Sequence, residues 1–346
     1  MVKSLAYFLP QFHSDEKNNK WWGDGFTEWS HFKEVKNYYP WQKIRSPLGG
    51  YYFLDDEVVL ANQYSNAKEI GLDGFIVWNY WFGNGVKALD RPLEIILDKN
   101  IDFKFCLAWA NHSWINKSKN ILLQEQLYLG ESDYKDYFKY CLRFFKTSNY
   151  IKIDNKPIFF IFKPLDIPDL KNFLSLFDKL AKENGFNGLF FVAENTNEII
   201  EGFDRFVSSG KILNLAKYVH PIEKAKQYLR DRGFLNLKNP IVYDYKKLSK
   251  LSFNLSLKKN ELPSILTGWD TSIRHKSRGV ILKNFDEKIF KMALVDARKK
   301  MAKNDFLVVK SWNEWAEGNI LENDSVFGSS LGAIFKEQMG KIIKAD

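Results

Sequence analysis

Short apolar runs recur along the chain, and each run ends in polar and aromatic residues. Eight runs share this form, at residues 5–8, 74–78, 103–107, 158–162, 189–192, 241–243, 265–266 and 306–309. Apolar runs without alternation are typical of strands that are buried on both faces, as in parallel sheets covered by helices. Between the runs, segments such as 89–97 and 170–180 carry apolar residues at helical spacing. The pattern therefore predicts alternating strands and helices.

The number of repeats favours one fold of the α/β class. Eight strand–helix repeats in 346 residues predict a (β/α)8 TIM barrel, with an open, doubly wound parallel sheet as the second choice. A barrel also explains the polar endings, because its catalytic groups come from the carboxyl ends of several strands. No linker or low-complexity tract interrupts the pattern, so a single domain over residues 1–346 is expected. Residues 211–303 fit least well, because the strands there are short and irregularly spaced.

The charge of the chain is concentrated in that irregular region. The formal net charge is +9, yet residues 211–303 hold 22 Lys and Arg against 8 Asp and Glu, so the remainder is negative. A basic stretch of this kind does not indicate nucleic acid binding by the whole protein. It predicts either peripheral contact with an anionic glycan, a lipid phosphate or a membrane surface, or simply a solvated Lys-rich face.

Several classes of protein are disfavoured by what the chain contains. Its only cysteines, Cys106 and Cys141, are too few for a disulfide framework. The N-terminal apolar run is too short for a signal peptide, and no run reaches the ~18 apolar residues of a spanning helix. We therefore expect a cytoplasmic location, with a peripheral position at the inner membrane as an option. The five histidines have no ligand spacing, and the G-x-G-x-x-A at residues 83–88 is disfavoured as a dinucleotide fingerprint because its strand ends in NYWF and a proline follows closely. Neither a metal nor a cofactor is therefore predicted.

The segment WNEWAEG at residues 312–318 is the strongest chemical signal. It places Glu314 and Glu317 three residues apart, directly after the last apolar run. On a helical turn such residues share one face, with Cβ atoms ~5–6 Å apart. Two carboxyl groups ~5–5.5 Å apart are what a retaining glycosidase uses. Mutual repulsion beside Trp312 and Trp315 would hold one of the two acids protonated near neutral pH. The alternative is a solvated helix face.

The segment WWGDGFTEW at residues 21–29 predicts a glycan-binding loop after the first strand. Its aromatic rings, among them Trp21, Trp22 and Trp29, could stack on sugar rings, while Glu28 could bind hydroxyl groups. The alternative is a satellite hydrophobic cluster under a long loop.

Other polar and aromatic residues at the ends of the apolar runs are further candidates. For three of them a structural role is an open alternative: Asp270 and Arg274 could pair with each other, and His112 could be a core histidine. The residues expected to bind substrate on this basis are His13, Trp22, Glu28, Trp29, Asn79, Trp109, Asn111, His112, Trp269, Asp270, Arg274, Trp312, Asn313 and Trp315.

Seven segments together resemble one family over nearly the whole chain. They are YFLPQFH (7–13), WWGDGFTEW (21–29), GLDGFIVWNYWF (71–82), AWANHSW (108–114), KPIFFIF (156–162), GWDTSIR (268–274) and WNEWAEG (312–318). In this order they resemble the WbsX-like proteins of bacterial polysaccharide gene clusters, which are relatives of glycoside hydrolase family 99, the endo-α-mannosidases. The resemblance implies a (β/α)8 barrel that acts on glycans without a metal.

The resemblance also implies roles for individual residues. Glu317 would be the general acid/base, and Glu314 the base that deprotonates the sugar 2-hydroxyl. That oxygen would attack its own anomeric carbon, and the resulting 1,2-anhydro sugar would be opened with net retention. Tyr7, Tyr80 and Trp81 match aromatic residues of the family's sugar-binding subsite.

Three functions follow as hypotheses. The first is a glycoside hydrolase or transglycosylase that acts on a lipid-linked oligosaccharide or a surface polysaccharide, such as capsule or lipopolysaccharide O-antigen. The second is a metal-independent glycosyltransferase, since WbsX-like proteins are often given that label. A nucleotide-sugar donor would need a diphosphate site, for which the basic segment around Lys276 and Arg278 is the only local support. The third is a non-catalytic glycan-binding protein.

Overall fold

The structure is a computed structural model that describes residues 2–116, 121–208, 211–303 and 305–341. Its strands are β1 (Ser4–Phe8), β2 (Gly74–Trp81), β3 (Lys87–Ala88), β4 (Phe105–Trp109), β5 (Trp114–Asn116), β6 (Ile121–Gln124), β7 (Lys152–Ile153), β8 (Lys156–Ile161), β9 (Phe190–Glu194), β10 (Arg205–Val207), β11 (Ile241–Asp244), β12 (Ser264–Leu266), β13 (Val280–Lys283), β14 (Leu307–Lys310), β15 (Asn313–Glu314) and β16 (Asn319–Ile320). Its α-helices are α1 (Glu16–Trp22), α2 (Glu57–Glu69), α3 (Arg91–Asp98), α4 (Glu131–Phe145), α5 (Leu170–Glu183), α6 (Lys211–Asn214), α7 (Ala216–Val219), α8 (Pro221–Asp231), α9 (Tyr245–Phe253), α10 (Ser272–His275), α11 (Glu287–Lys300) and α12 (Ser330–Gly340). Short 3₁₀ helices lie at Glu28–Glu34, Pro164–Asp166, Lys276–Arg278 and Trp315–Glu317.

Eight parallel strands form a nearly closed barrel. Their spatial order is β10, β9, β8, β4, β2, β1, β14, β12. Between the two end strands, the chain just before β12 completes the wall: the N–H of Phe206 donates to Asn260 O (3.0 Å), and the N–H of Leu262 donates to Phe206 O (2.9 Å). The predicted (β/α)8 barrel is confirmed.

The barrel strands and their helices are held together by aromatic packing. The segment predicted as a helix at 170–180 forms α5, which buries Phe173, Phe177 and Ala181 at helical spacing. Phe177 packs against Phe159 of β8 with a ring-centroid distance of 5.7 Å. Full burial of a side chain of this size contributes about 1.5–3 kcal/mol, so Phe177→Ala would weaken this layer most directly.

One of the eight predicted strands lies outside the barrel. The run at 241–243 forms β11, which pairs with β13 in a separate two-stranded parallel sheet. The sixth barrel strand is β10, which pairs with β9 and has only the two apolar residues Phe206 and Val207. A strand this short gives no apolar run, because its neighbours in the wall supply the rest of the burial.

The irregular region between β10 and β14 builds a second, smaller hydrophobic cluster. Its members are Leu215, Ala216, Ile241, Tyr243, Tyr245, Leu248, Leu266, Leu282 and Ile289. Phe253 and Phe285 pack against both this cluster and the main core. The β11–β13 sheet is therefore attached to the barrel by shared apolar contacts. Among the residues that the structure describes, no helix is long and apolar enough to cross a membrane.

Candidate active site

The carboxyl ends of β1, β2, β9 and β14 bring four buried or nearly buried side chains together. The hydroxyl of Tyr7 donates to Glu194 Oε2 (2.6 Å), and the Tyr7 ring stacks on Trp78 with 4.8 Å between centroids. Lys310 Nζ lies 5.5 Å from the centroid of the Tyr7 ring and 3.9 Å from Glu194 Oε1. Neighbouring parallel strands end at the same edge of the wall, which is why residues so distant in sequence meet.

The backbone after β14 is shaped to present two glutamates at this edge. Asn313 anchors it to the first strand's end, since Oδ1 accepts from the N–H of Leu9 (2.8 Å) and Nδ2 donates to Leu9 O (3.1 Å). Glu314 ends β15 and precedes the 3₁₀ turn that holds Glu317, so the predicted helical turn is a single 3₁₀ turn. Gly318 closes it with φ 61°, and a Cβ there would lie 2.8 Å from the Cβ of Asp270. The fold therefore requires glycine at this position.

Glu314 is buried, and within the described part of the chain one of its two carboxyl oxygens accepts a hydrogen bond. Trp78 Nε1 donates to Oε1 (3.1 Å), while the buried Oε2 has no hydrogen-bond partner among the described residues. Burial and the nearby charge of Glu317 raise the pKa of Glu314, against the opposing charge of Lys310. Burial and the neighbouring carboxylate therefore favour the protonated form of Glu314 more than in an ordinary glutamate.

Glu317 is joined to the first loop through a cation. Arg274 Nη1 donates to Glu317 Oε1 (2.6 Å), and Arg274 Nη2 donates to Glu28 Oε1. Burial by itself would lower the pKa of Arg274, but the carboxylates of Glu28 and Glu317 outweigh it and raise that pKa. Burial likewise disfavours charge on Glu28, but Arg274 leaves the pKa of Glu28 lowered. The three groups therefore form a charged bridge across the site.

Asp270 does not pair with Arg274, so the alternative of a loop clamp between them is wrong. Its carboxylate accepts from the N–H (2.9 Å) and the hydroxyl (2.5 Å) of Ser272 and from Gln42 Nε2 (2.7 Å). Its own N–H donates to the carbonyl of Glu317 (2.7 Å). Asp270 thus holds the turn that carries Glu317.

Lys310 is the second cation of the site. Burial alone would lower the pKa of Lys310, but the charges of Glu314 and Glu194 raise it. The ammonium therefore stays charged beside the pair and opposes the protonation of Glu314.

Successive residues at the end of β2 lie on opposite faces of the wall. Trp78 contacts Glu314, and the charges of Arg274 and Glu314 act on the hydroxyl of Tyr80, so both face the site. Asn79 bonds instead to the hydroxyls of two tyrosines of α4, and Trp81 donates to Asp133 of the same helix (3.2 Å). Asn79 and Trp81 are thus placed between the wall and α4, away from the carboxylates.

The segment after β4 contributes mainly to packing. Trp109 is buried, and its Nε1 donates to Trp81 O (2.9 Å). Asn111 is fully buried and joins two loops, because its Oδ1 accepts from the N–H of Lys163 (2.8 Å) and its Nδ2 donates to Lys163 O (2.7 Å). His112 lies nearer the site, with its ring 5.4 Å from Phe162, which in turn packs against Trp78.

The candidate residues of the first loop also differ, because some reach the site and others are packed in the core. Glu28 reaches the site through Arg274, and Trp22 is 44% exposed with its ring over Phe26. Trp29 is buried in an aromatic cluster and donates to Tyr52 O (2.6 Å). His13 is buried, and its Nδ1 lies 2.8 Å from Pro10 O. Burial lowers the pKa of His13.

Three remaining tryptophans lie behind the site or beside it. Trp312 donates to Gln63 Oε1, and Trp315 donates to the hydroxyl of Tyr52 (3.1 Å). Trp269 packs against the second hydrophobic cluster. The tryptophans that flank Glu314 therefore fix its backbone from behind.

Sequence reasoning missed Trp78, Glu194 and Lys310 as site residues. Trp78 ends its apolar run, Glu194 and Lys310 follow theirs within two residues, and none of the three was singled out for its chemistry. Period-two alternation counted back from Tyr80 would have selected Trp78 and placed Asn79 and Trp81 on the other face.

The assembled cluster combines two neighbouring carboxyl groups, aromatic rings and cations that are ion-paired with carboxylates. Its carboxyl groups are Glu28, Glu194, Glu314 and Glu317, and its cations are Arg274 and Lys310. Such a set can donate and accept protons at a bound hydroxyl or glycosidic oxygen. Among the described residues, no group of three or more histidine, cysteine or acidic side chains is arranged to hold a metal ion.

Comparison with known proteins gives both a family and a fold. The model of the family described as Glycosyltransferase WbsX matches residues 4–333. Proteins named WxcX from Xanthomonas campestris pv. campestris, strains B100 and ATCC 33913, are 26% identical over 342 residues, which cover 94% of this chain and 48% of theirs. This chain therefore spans about half the length of the curated relatives it matches.

Solved structures show the same fold at low identity. The glycoside hydrolase family 99 endo-α-mannosidase of Bacteroides thetaiotaomicron, solved with bis-tris-propane, is 14% identical with a TM-score of 0.60, covering 100% of this chain and 99% of that one. A glycoside hydrolase-like protein is also 14% identical with a TM-score of 0.56, covering 98% and 94%. At these identities the likeness concerns the barrel architecture alone.

Proposed function

The chain belongs to the WbsX glycosyltransferase family, and we propose that it is a carbohydrate-active enzyme that cleaves or transfers a glycosidic bond with Glu314 and Glu317. The observation that carries the proposal is the carboxyl pair after β14, in which Glu314 is buried and Glu317 is partly exposed. One acid there keeps a free, buried oxygen, and the other is held by Arg274. A buried oxygen without a partner is disfavoured unless a ligand hydroxyl bonds to it.

Two neighbouring carboxyl groups suit retaining chemistry. With one of them protonated, such a pair offers one acid for the leaving oxygen and one base for the attacking group. In the proposed sequence Glu314 takes the proton of the sugar 2-hydroxyl, whose oxygen attacks the anomeric carbon. Glu317 gives a proton to the leaving oxygen, and the 1,2-anhydro sugar is then opened by water or by an acceptor hydroxyl.

The proposed roles need Glu314 ionised and Glu317 protonated when substrate is bound. Burial and the charge of Glu317 oppose the ionised form of Glu314, whereas the charge of Lys310 favours it. A glycosidic oxygen placed between Glu317 and Arg274 would weaken the ion pair that holds Glu317 as a carboxylate. Both Lys310 and such a substrate would therefore favour the protonation states that the roles need.

The charge of the site favours a neutral glycan over a nucleotide-sugar donor. Arg274 and Lys310 are both neutralised by carboxylates of the cluster. A diphosphate needs cations that are not already paired. The sequence's only local support for such a site was the basic segment around Lys276 and Arg278. Lys276 is ion-paired with Glu34 (2.7 Å) on the surface, and Arg278 is exposed. Within the family, transfer to a hydroxyl acceptor through the same carboxyl pair is therefore the transferase activity that fits best.

The substrate we propose is a surface polysaccharide or a lipid-linked oligosaccharide, met in the cytoplasm. The test uses that glycan from the source organism and a panel of aryl glycosides that differ in leaving-group pKa. Glu314→Gln and Glu317→Gln should each lower turnover of the glycan by about 10³-fold, as expected for the loss of a general acid or base. If Glu317 is the acid, Glu317→Gln should keep most of its activity on glycosides with acidic leaving groups, whereas Glu314→Gln should not.

The matched control is Glu322→Gln, which changes a carboxyl behind the site and should keep turnover. Absence of new reducing ends or transfer products with the wild-type protein would contradict the proposal. Calorimetric binding of a nucleotide sugar would favour the transferase with an activated donor. Glycan binding without turnover, retained in both variants, would favour a binding protein.

A further inference from the structure

Helix α8 has its apolar side towards solvent and its polar side towards the rest of the protein. On one side, Ile222 is 65% exposed and Leu229, two turns later on the same side, is 42% exposed. On the other side, Arg230 is only 6% exposed and donates from Nη1 to Gly279 O (3.0 Å), while Gln227 Oε1 accepts from the hydroxyl of Tyr243 (2.6 Å). A surface helix of a globular protein normally has the opposite arrangement.

Residues on either side of α8 extend this apolar surface. Tyr218 of α7 is 68% exposed, and Phe234 is 77% exposed. Phe234 is held beside the last turn of the helix, because its N–H donates to Leu229 O (2.9 Å) after Gly233 at φ 81°. The α8 face is defined here as Tyr218, Ile222, Tyr228, Leu229 and Phe234. It is a fixed surface, since helix and turn bonds hold its backbone.

Basic side chains border the α8 face. Residues 217–238 hold six Lys and Arg against two acidic residues. The Arg232 guanidinium lies 3.6 Å from the centroid of the Tyr228 ring, and Lys217 Nζ lies 4.9 Å from that of Tyr218. Lys226 is exposed on the helix itself. This is also the part of the chain with the excess of positive charge.

We propose that the α8 face docks the protein on an anionic membrane surface. Aromatic and aliphatic side chains would enter the headgroup boundary, and the surrounding Lys and Arg would contact anionic headgroups. A second copy of the chain is a poorer partner, because a symmetric contact would place the same basic residues opposite one another. The inference stands apart from the proposed catalytic chemistry, since no residue of the α8 face contacts the carboxyl pair.

The test is co-sedimentation of the full chain with lipid vesicles. Wild type should bind mixed phosphatidylglycerol–phosphatidylcholine vesicles, lose binding at high salt, and fail to bind phosphatidylcholine alone. The double variant Ile222→Ser with Leu229→Ser should weaken binding about tenfold or more. Lys226→Glu should weaken it about fivefold or more, since each basic residue near the surface supplies roughly that factor.

Matched controls separate docking from misfolding and from net charge. Val58→Ser changes an apolar residue that is 60% exposed in the first turn of another helix, and it is the control for the apolar change. Lys179→Glu reverses a lysine charge on α5 and is the control for Lys226→Glu. Both control variants should bind vesicles like wild type. All variants should keep the thermal midpoint and the turnover of a water-soluble glycan. Equal binding by wild type and the α8 variants, or no binding by wild type, would overturn the proposal. A wild-type dimer that the α8 variants convert to monomer would overturn it as well.

Discussion

The two faces of strand β2 carry residues of the same kinds in opposite roles. On the inner face, Trp78 donates its indole N–H to Glu314 of the candidate site. On the outer face, Trp81 donates its indole N–H to Asp133 of α4. Both tryptophans are buried and both bond to a carboxylate. The direction of the side chain from the wall decides whether the carboxylate is available for chemistry or fixes a helix.

The two faces of the barrel wall should therefore differ in whether a substitution changes turnover or stability. Substitutions on the inner face should change turnover more than stability, and those on the outer face should do the reverse. Four experiments test this expectation. The first changes a residue for which both turnover and stability should fall.

Arg274→Met should have the largest effect. It leaves Glu28 as a buried carboxylate without a counterion, which costs about 3 kcal/mol of unfolding free energy, and it frees Glu317, so turnover should fall at least about 100-fold. Denaturant unfolding and glycan turnover measure the two effects. The double variant Arg274→Met with Glu28→Gln should recover stability and not activity; recovery of both would assign Arg274 a structural role only.

Glu322→Gln should change stability in a pH-dependent way. Burial raises the pKa of Glu322 to about 7, while the unfolded carboxyl titrates at its ordinary lower value. Between these values the unfolded state loses its proton first, so the native contribution of Glu322 is present at acidic pH and is lost as pH rises toward 7. The variant should therefore be more stable than wild type by about 3 kcal/mol at pH 8 and similar to it near pH 4.

The measurement is denaturant unfolding at both pH values. Because Glu322 accepts from Tyr52 (2.8 Å) and Gln63 (2.9 Å) behind the site, the pH profile of turnover should be unchanged. A shifted turnover profile would place Glu322 on the catalytic side.

Trp78→Phe and Trp81→Phe are a matched pair on the two faces. Trp78→Phe removes the bond to Glu314 and should lower turnover about tenfold, with unfolding free energy changed by less than about 1 kcal/mol. Trp81→Phe removes the bond to Asp133 and should cost about 1–2 kcal/mol with turnover intact. Equal effects of the two changes on turnover would contradict the division of the faces.

Lys310→Met should give the smallest effect, a displacement of the pH profile. Loss of the ammonium removes a charge that lowers the pKa of Glu314, so that pKa should rise further. If Glu314 is the base, the acidic limb of kcat/KM moves to higher pH; if it is the acid, the alkaline limb moves instead. Lys310→Arg, which keeps the charge, is the control and should restore the wild-type profile. An unmoved profile would show that Lys310 does not act on Glu314.

The fold was largely predictable, and the site was predictable in part. Apolar runs identified seven of the barrel strands, because strands buried on both faces must be apolar. Strand β10 was missed, since two apolar residues give no periodic signal, and β11 was assigned in its place. The WNEWAEG motif predicts Glu314 and Glu317 as the working pair, which stays a prediction. The sequence also proposed Glu28 and Arg274, and the structure places both beside Glu317. Lys310 was missed because a single charge at a strand end resembles any strand terminus.

The sequence by itself determined which chemical groups lie near the ends of the strands. Only the tertiary structure decided which of them meet. The pairing of Arg274 with Glu28 and Glu317, and the proximity of Tyr7 to Glu194, depend on the closure of the barrel. The direction of each residue from the wall depends on a strand register that apolar runs without alternation do not encode. The same holds for α8, where the periodicity marks an apolar stripe but only the packing shows that the stripe faces solvent.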